Sequence, residues 1–333
     1  MKIFITGVAG FLGSNLAFNL IDRGYDVSGN DNLICGYKDN ISSDINFFDT
    51  DCCNFIEMKN SMKECDVLIH CSATAHEGLS SFSPSFITKN IFHASVTTFS
   101  AAISNNVKKI IYCSSMARYG NQKHPFVEEM RTEPCDPYGI AKVAAENILV
   151  NLCNLHGIEW TILVPHNIVG PRQRYDDPYR NVLSIFLNRM LQDKPALIYG
   201  DGSQKRCFSY VDDCVNSIVN CIENKKTNKE IINIGPDEES ITIKELANKC
   251  ANIVGINSKH KYLPARPQEV KFATCSSNKA RKILNYKTKF SLDQSIHLTK
   301  EYIEKRGASP FNYNIDLEII NNQTPKTWKN KLI

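Results

Sequence analysis

Short apolar runs alternate along the first half of the chain with longer stretches in which apolar residues return every three or four positions. Residues 2–6, 26–29, 45–48, 67–71, 109–113 and 160–164 predict strands. Residues 10–23, 87–105 and 138–156 carry the helical spacing between them. Near-continuous apolar strands are those buried on both faces, and strand–helix–strand repetition builds a parallel sheet covered by helices on either side. The pattern therefore predicts an α/β fold with a doubly wound parallel sheet. After Pro165, glycine, proline and charge become frequent over 165–180 and 200–205. A helix near 210–223 then leads into a strand at 230–234. Residues 1–165, with 207–235 returning, are expected to form the sheet domain. Residues 166–206 and 236–306 are expected to form a smaller mixed domain over the carboxyl edge of the sheet, where ligands of such sheets bind. Residues 307–333 show little pattern and read as a loosely held tail. There is no internal repeat.

Composition narrows the partners. A formal charge of +4 on 333 residues is too mild for a nucleic-acid binder, which shows a basic stripe. Thirteen cysteines suggest a disulfide framework at first sight. They lie singly in apolar stretches, only Cys52 and Cys53 are adjacent, and no C-x-x-C metal spacing occurs. Free thiols, with no metal site, fit a reducing, cytoplasmic setting. The opening Met1–Gly7 stretch reads as a strand entering a turn and is unlike an export signal. No apolar run approaches the roughly 20 residues of a membrane span.

Candidate chemistry begins with Gly7, Gly10 and Gly13, which follow the first strand and open the first helix. Glycines allow a tight turn and close approach of a pyrophosphate, and the helix start offers free N–H groups. Asp31 lies past the second strand, at the distance suited to adenosine ribose hydroxyls. A carboxylate there repels a 2′-phosphate, so NAD is favoured over NADP. Asp51, ending the third strand region, is placed to reach the adenine.

Tyr138 and Lys142 are four residues apart, so on a helix they share a face. An ammonium beside a phenol favours the phenolate, and the pair becomes a general base for a hydroxyl whose carbon gives up hydride. Ser114 and Ser115 follow the fifth strand at its carboxyl end. From there the hydroxyl of Ser115 can bind the reacting oxygen and relay its proton.

With these motifs, and with Asn167-Ile168-Val169-Gly170-Pro171-Arg172 further on, the chain resembles the extended short-chain dehydrogenase/reductase family. The likeness is greatest to nucleotide-sugar epimerases of the UDP-glucose 4-epimerase type. It spans residues 2 to about 300. It implies a Rossmann-like sheet domain, a nucleotide-diphosphate sugar as substrate, a homodimer built on 87–105 and 138–156, and a place in polysaccharide biosynthesis. It implies that Tyr138, Ser115 and Lys142 oxidise carbon 4 of the sugar with NAD, and that the 4-keto sugar turns over and regains hydride on its other face. It further implies that Phe11, Leu12, Asn32, Cys71, Ala73, Asn90 and Pro165 surround the cofactor. Asn167 and Arg206, with Arg266 as a further candidate, would hold the diphosphate.

Branches of the family that dehydrate or decarboxylate place acids beside the serine, and the 3,5-epimerase branch has a cysteine there. Here Met116 and Ala117 stand in those places, and neither moves protons. This leaves 4-epimerisation as the leading expectation. A dehydratase using His76 or Glu77 is the alternative. A non-catalytic NAD-binding sensor is a third reading, which the intact Tyr138/Lys142/Ser115 set argues against. Ala273, aligned with a bulky tyrosine of hexose-restricted epimerases, is expected to leave room for a 2-acetamido group.

Overall fold

The computed structural model describes residues 1–257, 259–267 and 269–333. Its main sheet is built from β1 (Lys2–Thr6), β2 (Asp26–Asp31), β3 (Asn46–Asp49), β4 (Val67–His70), β5 (Lys109–Cys113), β6 (Glu159–Pro165) and β11 (Glu230–Ile234). The order is β11-β6-β5-β4-β1-β2-β3, with every pairing parallel. The order reverses beside β1, and there the crevice of a doubly wound sheet opens.

Helices cover both faces, because both faces of each central strand are apolar. On one side α1 (Phe11–Asp22), α8 (Val211–Val219) and α10 (Asn278–Leu284) contribute Leu16, Leu20, Val215, Ile218, Ala280 and Leu284 to the core. On the other, α2 (Phe55–Ser61), α5 (Ala94–Ser104) and α6 (Pro137–His156) contribute Met58, Phe99, Ala102, Ala145 and Leu149. The expected helix over 87–105 is three pieces. They are α4 (Pro84–Thr88), a π turn at Lys89–His93, and α5. A short α3 (Glu77–Ser80) precedes them.

A third core belongs to α7 (Val182–Met190), α9 (Ile243–Val254) and α11 (Leu292–Arg306). Small sheets sit beside it. β7 (Ile168–Val169) pairs with β10 (Ser209–Tyr210), and β8 (Ala196–Tyr199) pairs with β13 (His260–Leu263). β9 (Lys205–Arg206) lies antiparallel to β12 (Ile241–Thr242) and parallel to β14 (Phe272–Ala273), so this part is mixed. Residues 278–286 depart from the expected division, since Ala280, Leu284 and Tyr286 pack on the main sheet.

The tail is not loose. Ile315 and Trp328 are buried, and the Glu318 carboxylate accepts from the N–H groups of Ser85 and Phe86 at 2.8 and 2.7 Å, capping α4. Trp328, on α12 (Lys326–Lys329), meets the rings of Phe82 and Tyr179 edge-on. The expectation missed these contacts because each apolar anchor is isolated among polar neighbours.

Candidate active site

A cavity of about 430 Å³ runs along the carboxyl edge of the main sheet, the size of a site for a sizeable ligand. Its first end is a cradle. Gly7 has φ +71°, and a Cβ on Gly13 would stand 2.2 Å from the Gly7 carbonyl oxygen. The turn therefore needs glycine at both positions. α1 starts at Gly10 with no side-chain cap and no acid in its first turn, which leaves its N–H groups and positive dipole end for an anion. Phe11 and Leu12 line the same wall. Asp31 is fixed by the N–H groups of Ala9 (3.0 Å) and Leu33 (2.8 Å). Asn32 donates to Asp51 across the cradle at 3.3 Å. Cys71, Ala73, Asn90 and Pro165 complete this part, so every residue expected around the cofactor reaches the cavity. Asn90 does so from the π turn, its amide donating to the Phe86 carbonyl at 2.8 Å. These features fit a dinucleotide. All thirteen cysteines are free, and no metal-binding cluster occurs among the described residues.

The middle of the cavity holds the groups expected to handle protons. Asp136 caps α6, accepting from Gly139 N–H at 2.8 Å, and Pro137 suits the first turn. This start places Tyr138 and Lys142 on the buried face of α6. Tyr138 and Ser115 line this part of the cavity together. Ser115 caps the turn Met116–Tyr119, accepting from Ala117 N–H at 3.2 Å. Behind it, Arg118 forks onto Glu146 of α6 at 2.9–3.2 Å, both side chains buried, and Ser114 donates to the same carboxylate. This pair ties the serine loop to α6.

The electrostatics correct one expectation. Burial pushes the Tyr138 phenol well above its usual range, against a lowering by the nearby Ser115 hydroxyl, while Glu77 and Asp136 raise it further and Arg180 lowers it. Lys142 instead donates to the Cys113 carbonyl at 2.8 Å and lies over the Tyr112 ring. Burial lowers its own pKa to about 8.

Asn167, Arg206 and Arg266 line the far end. Arg206 is tethered by donating to the carbonyls of Lys205 (2.8 Å) and Val270 (2.6 Å), and Arg266 pairs with Glu269 at 2.7 Å. Glu77 also faces the cavity, but two other expected residues do not. His76 is buried and hydrogen-bonded to Asp177 at 2.7 Å, because the start of α3 turns it away from its neighbour Glu77. Ala273 is buried in β14, packed in the core beside the main sheet, and makes no wall for a sugar. Sequence reasoning also missed Arg180, Tyr179 and Trp328, all of which line the cavity. The run of charge around Arg180 was the only local signal of the first, and nothing local signalled the last.

Comparison with known proteins gives a consistent picture. The model of the NAD dependent epimerase/dehydratase family matches residues 3–235. The chain is 31% identical over 279 residues to a UDP-N-acetyl-alpha-D-glucosaminuronate decarboxylase of Bacillus cytotoxicus, covering 79% of this chain and 83% of that one. The crystal structure of a Thermotoga maritima UDP-glucose 4-epimerase with UDP-glucose superposes with a TM-score of 0.86 at 31% identity, covering 92% of this chain and 99% of that one. A UDP-glucuronic acid 4-epimerase from Bacillus cereus, in complex with UDP-glucuronic acid and NAD, does so with a TM-score of 0.85 at 28% identity, covering 92% and 100%.

Proposed function

The chain belongs to the NAD dependent epimerase/dehydratase family, and within it we propose that it inverts carbon 4 of a UDP-hexose or UDP-N-acetylhexosamine. The observation that carries this reading is the convergence of Tyr138, Ser115 and Lys142 between the glycine cradle and the far arginines, with the non-titrating Met116 and Ala117 beside the serine. Gly7, Gly10, Gly13 and the start of α1 would hold the pyrophosphate of NAD, and Asp31 its ribose. NAD, when bound, supplies the hydride acceptor and a cationic ring. Tyr138, once its phenolate is favoured by that charge and by Arg180, would take the proton of the sugar 4-hydroxyl, directly or through Ser115, and later give it back. Lys142 holds the cofactor ribose. Asn167, Arg206 and Arg266 orient the diphosphate, where planar guanidinium forks suit phosphate oxygens.

Incubation with UDP-glucose, UDP-N-acetylglucosamine and UDP-glucuronate, read by NMR and mass spectrometry, tests this. A 4-epimer of unchanged mass is expected. Loss of water or of carbon dioxide as the main product would reject it. Assembly as a homodimer through the helices at 84–104 and α6 belongs to the same proposal. It draws support from Ile140 and Leu155, which stand exposed on α6, and light scattering reads it.

A further inference from the structure

Two sulfurs meet on the wall of the cavity, and no step above uses them. β4 and β5 are parallel neighbours with His70 opposite Tyr112. Cys71 follows β4 and Cys113 ends β5, so the register sets them side by side at the carboxyl edge of the sheet. Their side chains share the face that carries Ile69 and Ile111. The two Sγ atoms lie 3.6 Å apart in a thiol–thiol hydrogen bond, and both thiols are free. Adjacent strands run about 4.8 Å apart, within the span of about 4.4–6.8 Å between Cα atoms that a disulfide bridges. Rotation of the two side chains is enough to bring the sulfurs to bonding distance.

Their surroundings leave one way in. Behind them both pack against the core under α1 and α8. In front, both line the cavity, Cys71 half-buried and Cys113 buried. The Cys71 N–H donates to Thr6, the residue before the glycine cradle, at 3.1 Å. The Cys113 carbonyl accepts from Lys142 at 2.8 Å. A solute therefore reaches the sulfurs from the cavity, and Cys71 is the more open of the two. The shared hydrogen bond and burial hold the Cys71 thiol above its usual range, opposed by the Lys142 ammonium. The first attack on an oxidant is accordingly slow. The second step is favoured, because the partner sulfur is already in contact and reacts within one molecule.

We propose that Cys71 and Cys113 form a reversible disulfide when a peroxide enters the cofactor-free cavity, and that bound dinucleotide closes its path. This goes beyond the C4 reading and does not depend on it. The Cys71 sulfur gives its proton to solvent and attacks one peroxide oxygen. The O–O bond breaks, a sulfenic acid forms, and the departing hydroxide takes up a proton as water. The Cys113 sulfur then attacks the Cys71 sulfur, the S–O bond breaks, and a second water leaves. Two thiols are oxidised to one disulfide and one peroxide is reduced to two waters. Drawing the sulfurs together moves Cys113, whose carbonyl holds Lys142 and whose next two residues are Ser114 and Ser115. The linked form therefore loses turnover.

Reduced protein freed of NAD is exposed to hydrogen peroxide with and without added NAD, then alkylated and mapped by mass spectrometry. A cross-linked Cys71–Cys113 peptide is expected, two hydrogens lighter than the reduced pair and returned to free thiols by dithiothreitol. NAD at about ten times its Kd should slow the linkage about ten-fold, the share of cavities left empty. Cys113→Ala should stop at the sulfenic acid, trapped on Cys71 by dimedone. Alkylated thiols at both positions while other cysteines oxidise, or Cys71 oxidised without the link, overturns the pair. Equal rates with and without NAD overturn entry through the cavity. Turnover of UDP-sugars by the linked protein should fall at least about ten-fold and return with dithiothreitol; undiminished turnover overturns the effect through Lys142. If no UDP-sugar is turned over before oxidation, the C4 reading falls, and the peptide map still decides the disulfide.

Discussion

Burial of the Lys142 ammonium, with one hydrogen bond to the Cys113 carbonyl, brings its pKa from 10.5 to about 8. The folded pKa lies below the unfolded one, so the folded state sheds this proton as pH rises through the window between them. The burial penalty is complete below about 8 and vanishes near 10.5. At 1.36 kcal/mol per pKa unit it amounts to about 3 kcal/mol. Lys142→Met should therefore lose turnover yet gain about 1–3 kcal/mol in unfolding free energy at pH 7, allowing for the lost hydrogen bond. Denaturant titrations at pH 7 and pH 10.5 would show the gain at the first and not at the second. Tyr138→Phe should cut turnover by about 10² to 10⁴ and leave NAD binding by fluorescence titration unchanged. These residues were legible because their signals are local, a glycine triplet, a strand-end aspartate and a four-residue spacing. His76 and Ala273 were misplaced because the start of a four-residue helix and the register of a two-residue strand decide where they point.

At the scale of elements, the span of α6 was legible from its helical spacing over 138–156, and the structure adds a capping aspartate, a first-turn proline and a stop at Gly157 in the left-handed region. What fixes it against the serine loop was not. Arg118 and Glu146 are 28 residues apart, and their pairing exists only once the loop folds onto the helix. Removing one member of such a pair strands a buried charge. Arg118→Met should lower stability by about 3–5 kcal/mol, and a matching Glu146→Leu should restore much of it. Chemical denaturation of the two single variants and the double variant measures this coupling. The long strands of the main sheet show in the apolar pattern, whereas the two-residue strands β7, β9, β10, β12 and β14 are too short to carry any period.

Across the whole molecule, the crevice beside β1 sets the cofactor end of the cavity, and that much follows from strand order. The sugar end is assembled from distant pieces. Tyr199 of β8 meets Thr327 at 2.6 Å, and Trp328 packs between Phe82 and Tyr179 on the cavity wall. A chain ending at Gly307 should keep NAD affinity and bind UDP-sugars at least about ten-fold more weakly, or about 1.4 kcal/mol, as calorimetry with each ligand would show. Synthesis runs from the N-terminus, so the glycine cradle leaves the ribosome well before the indole that closes the opposite end. A chain broken off between the two would still capture dinucleotide while holding a sugar nucleotide poorly. Such fragments would act as a silent sink, drawing on the same NAD supply as the intact copies.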